Sequence, residues 1–259
     1  HCDETMREVK VEERYELRII PAKANVIKHR QHVYACAHGQ AKEIETPFAK
    51  AEGYTPFLPK SSTSAQTVAW LLDQKYNLGL PLYRLEQNVK QQMGLDLSRQ
   101  TMSNWLMKTT ALYLEPMVKQ LHRRLLQEPH LHADETTLQV LNEPGRTARQ
   151  KSYMWLFRTG RGSPPIVLFD YQTTRASKHP VRFLEGFSGT LQVDGYQGYG
   201  TLQRSGVHLA GCWAHARRKF REVLDSLPEG TDKTGSLAAE AIKMIAGLYK
   251  VEAELKEQY

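Results

Sequence analysis

Cysteine is scarce. The chain has three in 259 residues, at positions 2, 36 and 212. Thiols so few and so far apart exclude a disulfide scaffold and fit a reducing compartment. Long apolar runs are missing too. No stretch reaches the roughly eighteen residues a helical membrane span needs. The opening residues do not read as a secretory signal. Negative charge is in deficit: 28 acids stand against 35 lysines and arginines, a net charge of +7 and a pI near 9.2. That balance favours a polyanionic partner and says nothing about fold. The length allows one large domain or two to three smaller ones, with ample core.

What is present is organised around His130-Leu-His-Ala-Asp-Glu-Thr-Thr-Leu-Gln-Val-Leu141. Leu131, Ala133, Thr137, Val140 and Leu141 are strand-like, yet Asp134 and Glu135 lie inside the run. Acids are depleted in strands, and a buried one is costly without a partner. A strand edge with solvated acids is the plainer reading. The sharper one is a strand that presents a carboxylate to a hard cation. A second stretch, Gly189-Thr-Leu-Gln-Val-Asp-Gly-Tyr196, favours the sharper reading. Asp194 ends it, and Gly195 allows a sharp turn or the close approach of a ligand. If the two strands are neighbours, their carboxylates sit side by side, where like charges repel unless a divalent metal holds them. Paired metals bridged by carboxylates serve in-line attack on a phosphodiester. In a regular strand Glu135 alternates to the other face, as a supporting residue.

Taken in order, residues 1–45 read as a small β-rich module, with alternating stretches at Glu13–Ile20 and Asn25–Cys36. Cys2 and Cys36 flank them, but a zinc ribbon wants two close Cys pairs. Position 39 is Gly39, with His38 as a substitute ligand, so zinc at Cys2 and Cys36 is doubtful. Residues 46–63 form a linker with Pro47, Gly53, Pro56 and Pro59. Residues 64–128 are helical. Val68, Leu71, Leu72 and Tyr76 make one stripe, and Leu82, Leu85, Val89 and Met93 make a second, stopped by Gly94. Ser98 caps a third helix with Met102, Trp105 and Leu106 inside and Arg99, Gln100, Ser103 and Asn104 outside. That pair reads as a helix-turn-helix offering polar groups to a major groove, against the alternative of a plain bundle with a solvated face. An amphipathic helix over 111–128 carries Arg123 and Arg124, weaker candidates for phosphate contact. Residues 129–228 give three meandering strands, a helix, two further strands and a helix: a mixed sheet with flanking helices. Residues 229–259 begin another helical segment.

That element order, with Asp134 and Asp194 on its first and fourth strands, resembles the ribonuclease-H-like fold of DDE transposases and retroviral integrases. Three blocks are closer still to one group. His132-Ala-Asp-Glu-Thr136, Val193-Asp-Gly-Tyr-Gln-Gly-Tyr199 and Cys212-Trp-Ala-His-Ala-Arg-Arg-Lys-Phe220 resemble the motifs of the insertion-sequence-66 family of bacterial transposases. Lys75-Tyr76, Leu80-Pro-Leu-Tyr-Arg84 and Trp105 resemble its helix-turn-helix segment, and the first forty residues its N-terminal zinc-binding module in degraded form.

The resemblance implies an α/β protein that cuts and joins transposon ends. Asp134 and Asp194 would hold Mg2+ or Mn2+, in the family a pair of ions about 3.5–4 Å apart. The family's third acid, a Glu beyond a helical insertion, has no matching block here. Glu222, Glu240, Glu252 and Glu254 lack its context and read as solvated helix faces. Cys212 and His215 match a Cys-x2-His motif near the catalytic site; a core cysteine beside a hydrogen-bonded histidine is the equal alternative. Arg217, Arg218 and Lys219 would meet DNA phosphates. The implied partners are double-stranded DNA, further copies of the chain and accessory transposition proteins, with no membrane, in the bacterial cytoplasm at the nucleoid.

Two readings are carried forward. One is a metal-dependent DNA transposase. The other is an inactive remnant that binds DNA or pairs with full-length subunits, which the missing third acid favours. A different ribonuclease-H-like nuclease, such as a resolvase, accounts for the two Asp residues but not for the helix-turn-helix and the basic block together.

Overall fold

The computed structural model describes residues 13–18, 23–35, 48–231 and 233–258, with side chains to residue 255. Cys2, Cys36 and His38, and with them the zinc question, lie outside the described residues. The chain divides into two compact units, residues 1–114 and 115–259.

In the first unit, β1 (Val33–Ala35) pairs antiparallel with β2 (Phe48–Lys50). β1 lies within the expected stretch Asn25–Cys36, and most of the expected β-rich module lies outside the described residues. The alternating stretches at 13–18 and 23–32 form no ladder, and β2 lies in the expected linker. Alternation makes a strand only where one face is buried, and Tyr15, Leu17 and Val26 are each at least 88% exposed.

Helix α1 (Ala65–Leu72) starts where Ser64 Oγ accepts the Thr67 amide. A π-helical turn, Asp73–Asn77, follows it. Tyr76, expected in the buried stripe, falls inside this wider turn, which departs from the 3.6-residue repeat, and is 67% exposed. Helix α2 (Leu82–Met93) ends at Gly94, whose φ of 67° closes the helix in the left-handed region. Helix α3 (Arg99–Thr109) begins at Ser98, whose Oγ accepts the Thr101 amide. Leu71, Leu85, Met102 and Leu106 form the core of the three helices, with Trp70 and Trp105 against it. A second π-helical turn, Thr110–Leu114, closes the unit.

The second unit opens with α4 (Glu115–Leu125). The sequence grouped this helix with the preceding ones, but Leu125 and Leu121 pack in the core of the sheet that follows. That sheet has five strands: β3 (His130–Gln139), β4 (Lys151–Thr159), β5 (Val167–Gln172), β6 (Thr190–Val193) and β7 (His208–Gly211). Their order is β5-β4-β3-β6-β7. The first three form an antiparallel meander, while β6 and β7 add in parallel beside β3. This is the expected mixed sheet with flanking helices. Helix α5 (Lys178–Phe183) makes the crossover from β5 to β6.

Trp155, Phe157, Leu131, Leu191 and Tyr199 are fully buried at the heart of one core. Gly189 admits β6 to that core. A Cβ there would stand 2.5 Å from the Pro129 carbonyl oxygen, which accepts the Thr190 amide. Between β6 and β7 runs an unanticipated 3-10 segment, Gln197–Ser205, which buries Tyr199 and Leu202. Helices α6 (Trp213–Asp225) and α7 (Leu237–Gln258) complete the unit. No helix among the described residues is long and apolar enough to cross a membrane.

Candidate active-site cleft

The sheet register builds the site. His132 of β3 pairs with Gln192 of β6, and Val193 of β6 pairs with Gly211 of β7. Carried two residues on, the first pairing sets Asp134 level with Asp194; carried one residue on, the second sets Asp194 level with Cys212. Side chains level across parallel strands share a face. Asp134 Oδ1 accepts the Glu135 amide at 2.9 Å and Asp194 Oδ1 accepts the Tyr196 amide at 2.9 Å. Each carboxylate thus keeps an oxygen for something else. Both line an open cleft of about 1130 Å3 at this end of the sheet.

Glu135 does the opposite of its neighbour. The Asp134 side chain is 53% exposed and the Glu135 side chain 1%. Arg175, in the loop before α5, donates from Nε to Glu135 Oε1 at 2.6 Å and also contacts it through a terminal nitrogen. Tyr199 donates its hydroxyl to Glu135 Oε2 at 2.6 Å. The Tyr196 ring lies 3.8 Å under the Arg175 guanidinium, and its hydroxyl donates to the Arg175 carbonyl at 2.5 Å. A terminal nitrogen of Arg175 stands 3.6 Å from Asp194 Oδ2. Burial pushes the Tyr199 hydroxyl well above its usual range, and the Glu135 charge adds to the push, so Tyr199 is a fixed donor. Burial opposes the Arg175 charge, but the Glu135 bond and the charges of Glu135 and Asp194 outweigh it and hold the guanidinium protonated. Tyr196 and Tyr199 fall in the block Val193–Tyr199 without a role attached to either, and nothing in the sequence marks Arg175. The one signal was an acid inside an apolar strand, which required some cation without saying which.

The third wall is α6. Cys212 precedes it and donates its amide to Val193 O at 2.8 Å. His215 Nε2 stands 3.6 Å from Asp134 Oδ2. Cys212, Trp213, His215, Arg218 and Lys219 line the cleft; Arg217 is exposed outside it. Glu222 also reaches the cleft, paired with Lys219 at 2.9 Å, whereas Glu240, Glu252 and Glu254 do not line it. Gly195 lines it as well. Its φ is not positive and a Cβ there would meet nothing within 4 Å, so no turn or close packing demands glycine. Arg99, Gln100 and Asn104 are exposed on α3, and Ser103 is half-buried. Arg123 and Arg124 are exposed on α4.

No group of three or more His, Cys, Asp or Glu among the described residues is arranged to hold a metal. Two carboxylates beside open space do suit Mg2+, which takes one or two protein carboxylates and fills its shell with water and phosphate oxygens.

The sequence profile described as "Transposase IS66 family" matches residues 60–259, and "zinc-finger binding domain of transposase IS66" matches residues 1–38. Among curated proteins, the uncharacterized protein y4qI of Sinorhizobium fredii is 32% identical over 253 residues, covering 93% of this chain and 44% of its own length. The uncharacterized protein y4jD of the same organism is 31% identical over 256 residues, covering 93% of this chain and 47% of its own length. The chain thus spans less than half the length of these relatives. A chain of a simian T-cell lymphotropic virus intasome complex aligns over 45% of this chain and 46% of its own, at 8% identity and a TM-score of 0.26, too low to carry an argument about fold.

Proposed function

The chain belongs to the IS66 transposase family, and from that premise we propose that its second unit is the ribonuclease-H-like catalytic core of a metal-dependent DNA transposase. What supports this reading is the register of β3 and β6, which, extended two residues past the His132–Gln192 pair, brings Asp134 level with Asp194, both lining one cleft. Asp134 and Asp194 would hold Mg2+ or Mn2+. Bound there, such ions would supply activation of water or a DNA 3′-hydroxyl and stabilisation of the leaving oxygen. The chain's own groups prepare that chemistry. Backbone amides fix one oxygen of each Asp, and Arg218 and Lys219 offer positive charge to the phosphates of a strand lying in the cleft.

In the first unit, α2, the turn at 94–98 and α3 form the helix-turn-helix, with Arg99, Gln100 and Asn104 presented to duplex DNA. Transposon ends and target are its partners, with further copies of the chain and accessory proteins, in the bacterial cytoplasm. The test is Mg2+-dependent cleavage of transposon-end DNA by a longer form carrying this chain. Asp134→Asn and Asp194→Asn are each expected to abolish cleavage while leaving duplex binding intact. Cleavage that survives both substitutions defeats the reading.

One observation favours a second reading for this polypeptide alone: among the described residues, the two other acids lining the cleft are both paired, Glu135 with Arg175 and Glu222 with Lys219. A chain that binds duplex DNA but not Mn2+ supports the DNA-binding reading for this polypeptide.

A further inference from the structure

Arg175 is one of the cleft residues without a part in the proposed chemistry, and it is held on several sides. Glu135 takes its Nε and a terminal nitrogen, Tyr196 lies under its plane, and the Tyr196 hydroxyl holds its carbonyl. Glu135 is itself fixed from the far side by the buried Tyr199. A guanidinium restrained this way points in one direction. Its remaining reach is toward Asp194 Oδ2, 3.6 Å away. Tyr196 has a double role: its ring supports Arg175 while its amide holds Asp194 Oδ1. The two oxygens of Asp194 are therefore set by one assembly, rooted in the neighbour of Asp134.

We propose that Arg175 is a positioning residue for Asp194, aimed by Glu135, Tyr199 and Tyr196, and that it sets the carboxylate in the orientation that receives a divalent cation beside Asp134. This rests on the transposase reading for the cation, but the aiming of Asp194 stands without it. The adjacent acids of β3 then divide the labour: Asp134 faces the cleft, and Glu135 holds the cation that holds the second Asp. Lysine cannot replace arginine here, because its single nitrogen cannot grip Glu135 at two points and still reach Asp194.

The experiment compares the wild-type chain with Arg175→Lys, Asp194→Asn and the double variant, reading both the thermal midpoint without metal and Mn2+ binding by electron paramagnetic resonance. Arg175→Lys keeps a positive charge beside the buried Glu135 and so preserves the fold. Glu135→Gln is the second variant: it keeps the Tyr199 bond but loosens the grip on Arg175. The shifts in midpoint caused by Arg175→Lys and Asp194→Asn are expected to be non-additive, because both break one contact. Mn2+ binding is expected to weaken about tenfold or more in both Arg175→Lys and Glu135→Gln, the usual effect of losing a group that orients a metal ligand. Additive midpoints overturn the proposal, as does wild-type Mn2+ affinity in a folded Arg175→Lys. A wild-type chain that binds no Mn2+ overturns the cation half of the proposal for this chain and leaves the transposase reading to the cleavage assay on the longer form, while the midpoint cycle still decides whether Arg175 aims Asp194.

Discussion

A histidine shows what burial does to one residue in this fold. His179 is 6% exposed, shares a 2.8 Å hydrogen bond with Thr174 and sits beside Trp155. Burial, then Lys178 and Arg182, lower its pKa, against a smaller opposing push from Asp170. The folded state therefore binds a proton less readily than the unfolded chain. The stability this gives is whole above the unfolded value near 6.5 and is lost as pH falls below it through the folded value. The melting midpoint of the second unit is expected to drop between pH 7 and pH 5, and His179→Asn to flatten that slope. Calorimetry across the range checks this. At the same scale, legibility was uneven. Asp134 and Asp194 stood out because acids at strand positions contradict local propensity. Arg175 sits in a loop with no periodicity to mark it. Tyr199 carries the motif Gly198-Tyr199-Gly200, in which nothing signals that its ring is buried and its hydroxyl bound to an acid sixty-four positions back.

Elements were legible where a buried face imposed a period. The five sheet strands and the helices around Leu85, Met102 and Leu106 follow that rule. The π-helical turn at Asp73–Asn77 and the 3-10 segment at Gln197–Ser205 do not, since neither keeps the 3.6-residue repeat. Each element has a weak point that can be measured. Leu106→Ala is expected to cost the first unit about 2–5 kcal/mol, as a truncation inside a three-helix core. Ser98→Ala removes the cap of α3 and is expected to cost about 1 kcal/mol. Chemical denaturation followed by tryptophan fluorescence reads both, through Trp70 and Trp105. Gly189→Ala drives a methyl into the Pro129 carbonyl and is expected to loosen β6 from β3. Faster hydrogen exchange at the Thr190 amide is the observable.

For the whole molecule, charge is the property with reach. A net +7 and the basic run on α6 would make the proposed duplex binding an ionic matter. The affinity is expected to fall linearly on a logarithmic salt axis. Arg218→Ala and Lys219→Ala should each reduce that slope by about one if each contacts a phosphate. Titrations at several salt concentrations give the slope. Composition pointed to a polyanionic partner at once, but not to the division into units at residue 115. Helix α4 looks continuous with the helices before it, and only its packing through Leu121 and Leu125 shows where it belongs.

The parallel pairing of β3 with β6 also sets a clock. β3 finds β4 at the next hairpin, but its pairing partner in β6 lies sixty positions further along the chain. At the usual ribosomal pace of about 5–20 residues per second, that distance takes roughly 3–12 s to translate. Throughout that interval the emerging protein carries Asp134 without Asp194. The sixty positions between the two carboxylates mean that no nascent chain still short of Asp194, and no product broken off before β6, owns the pair.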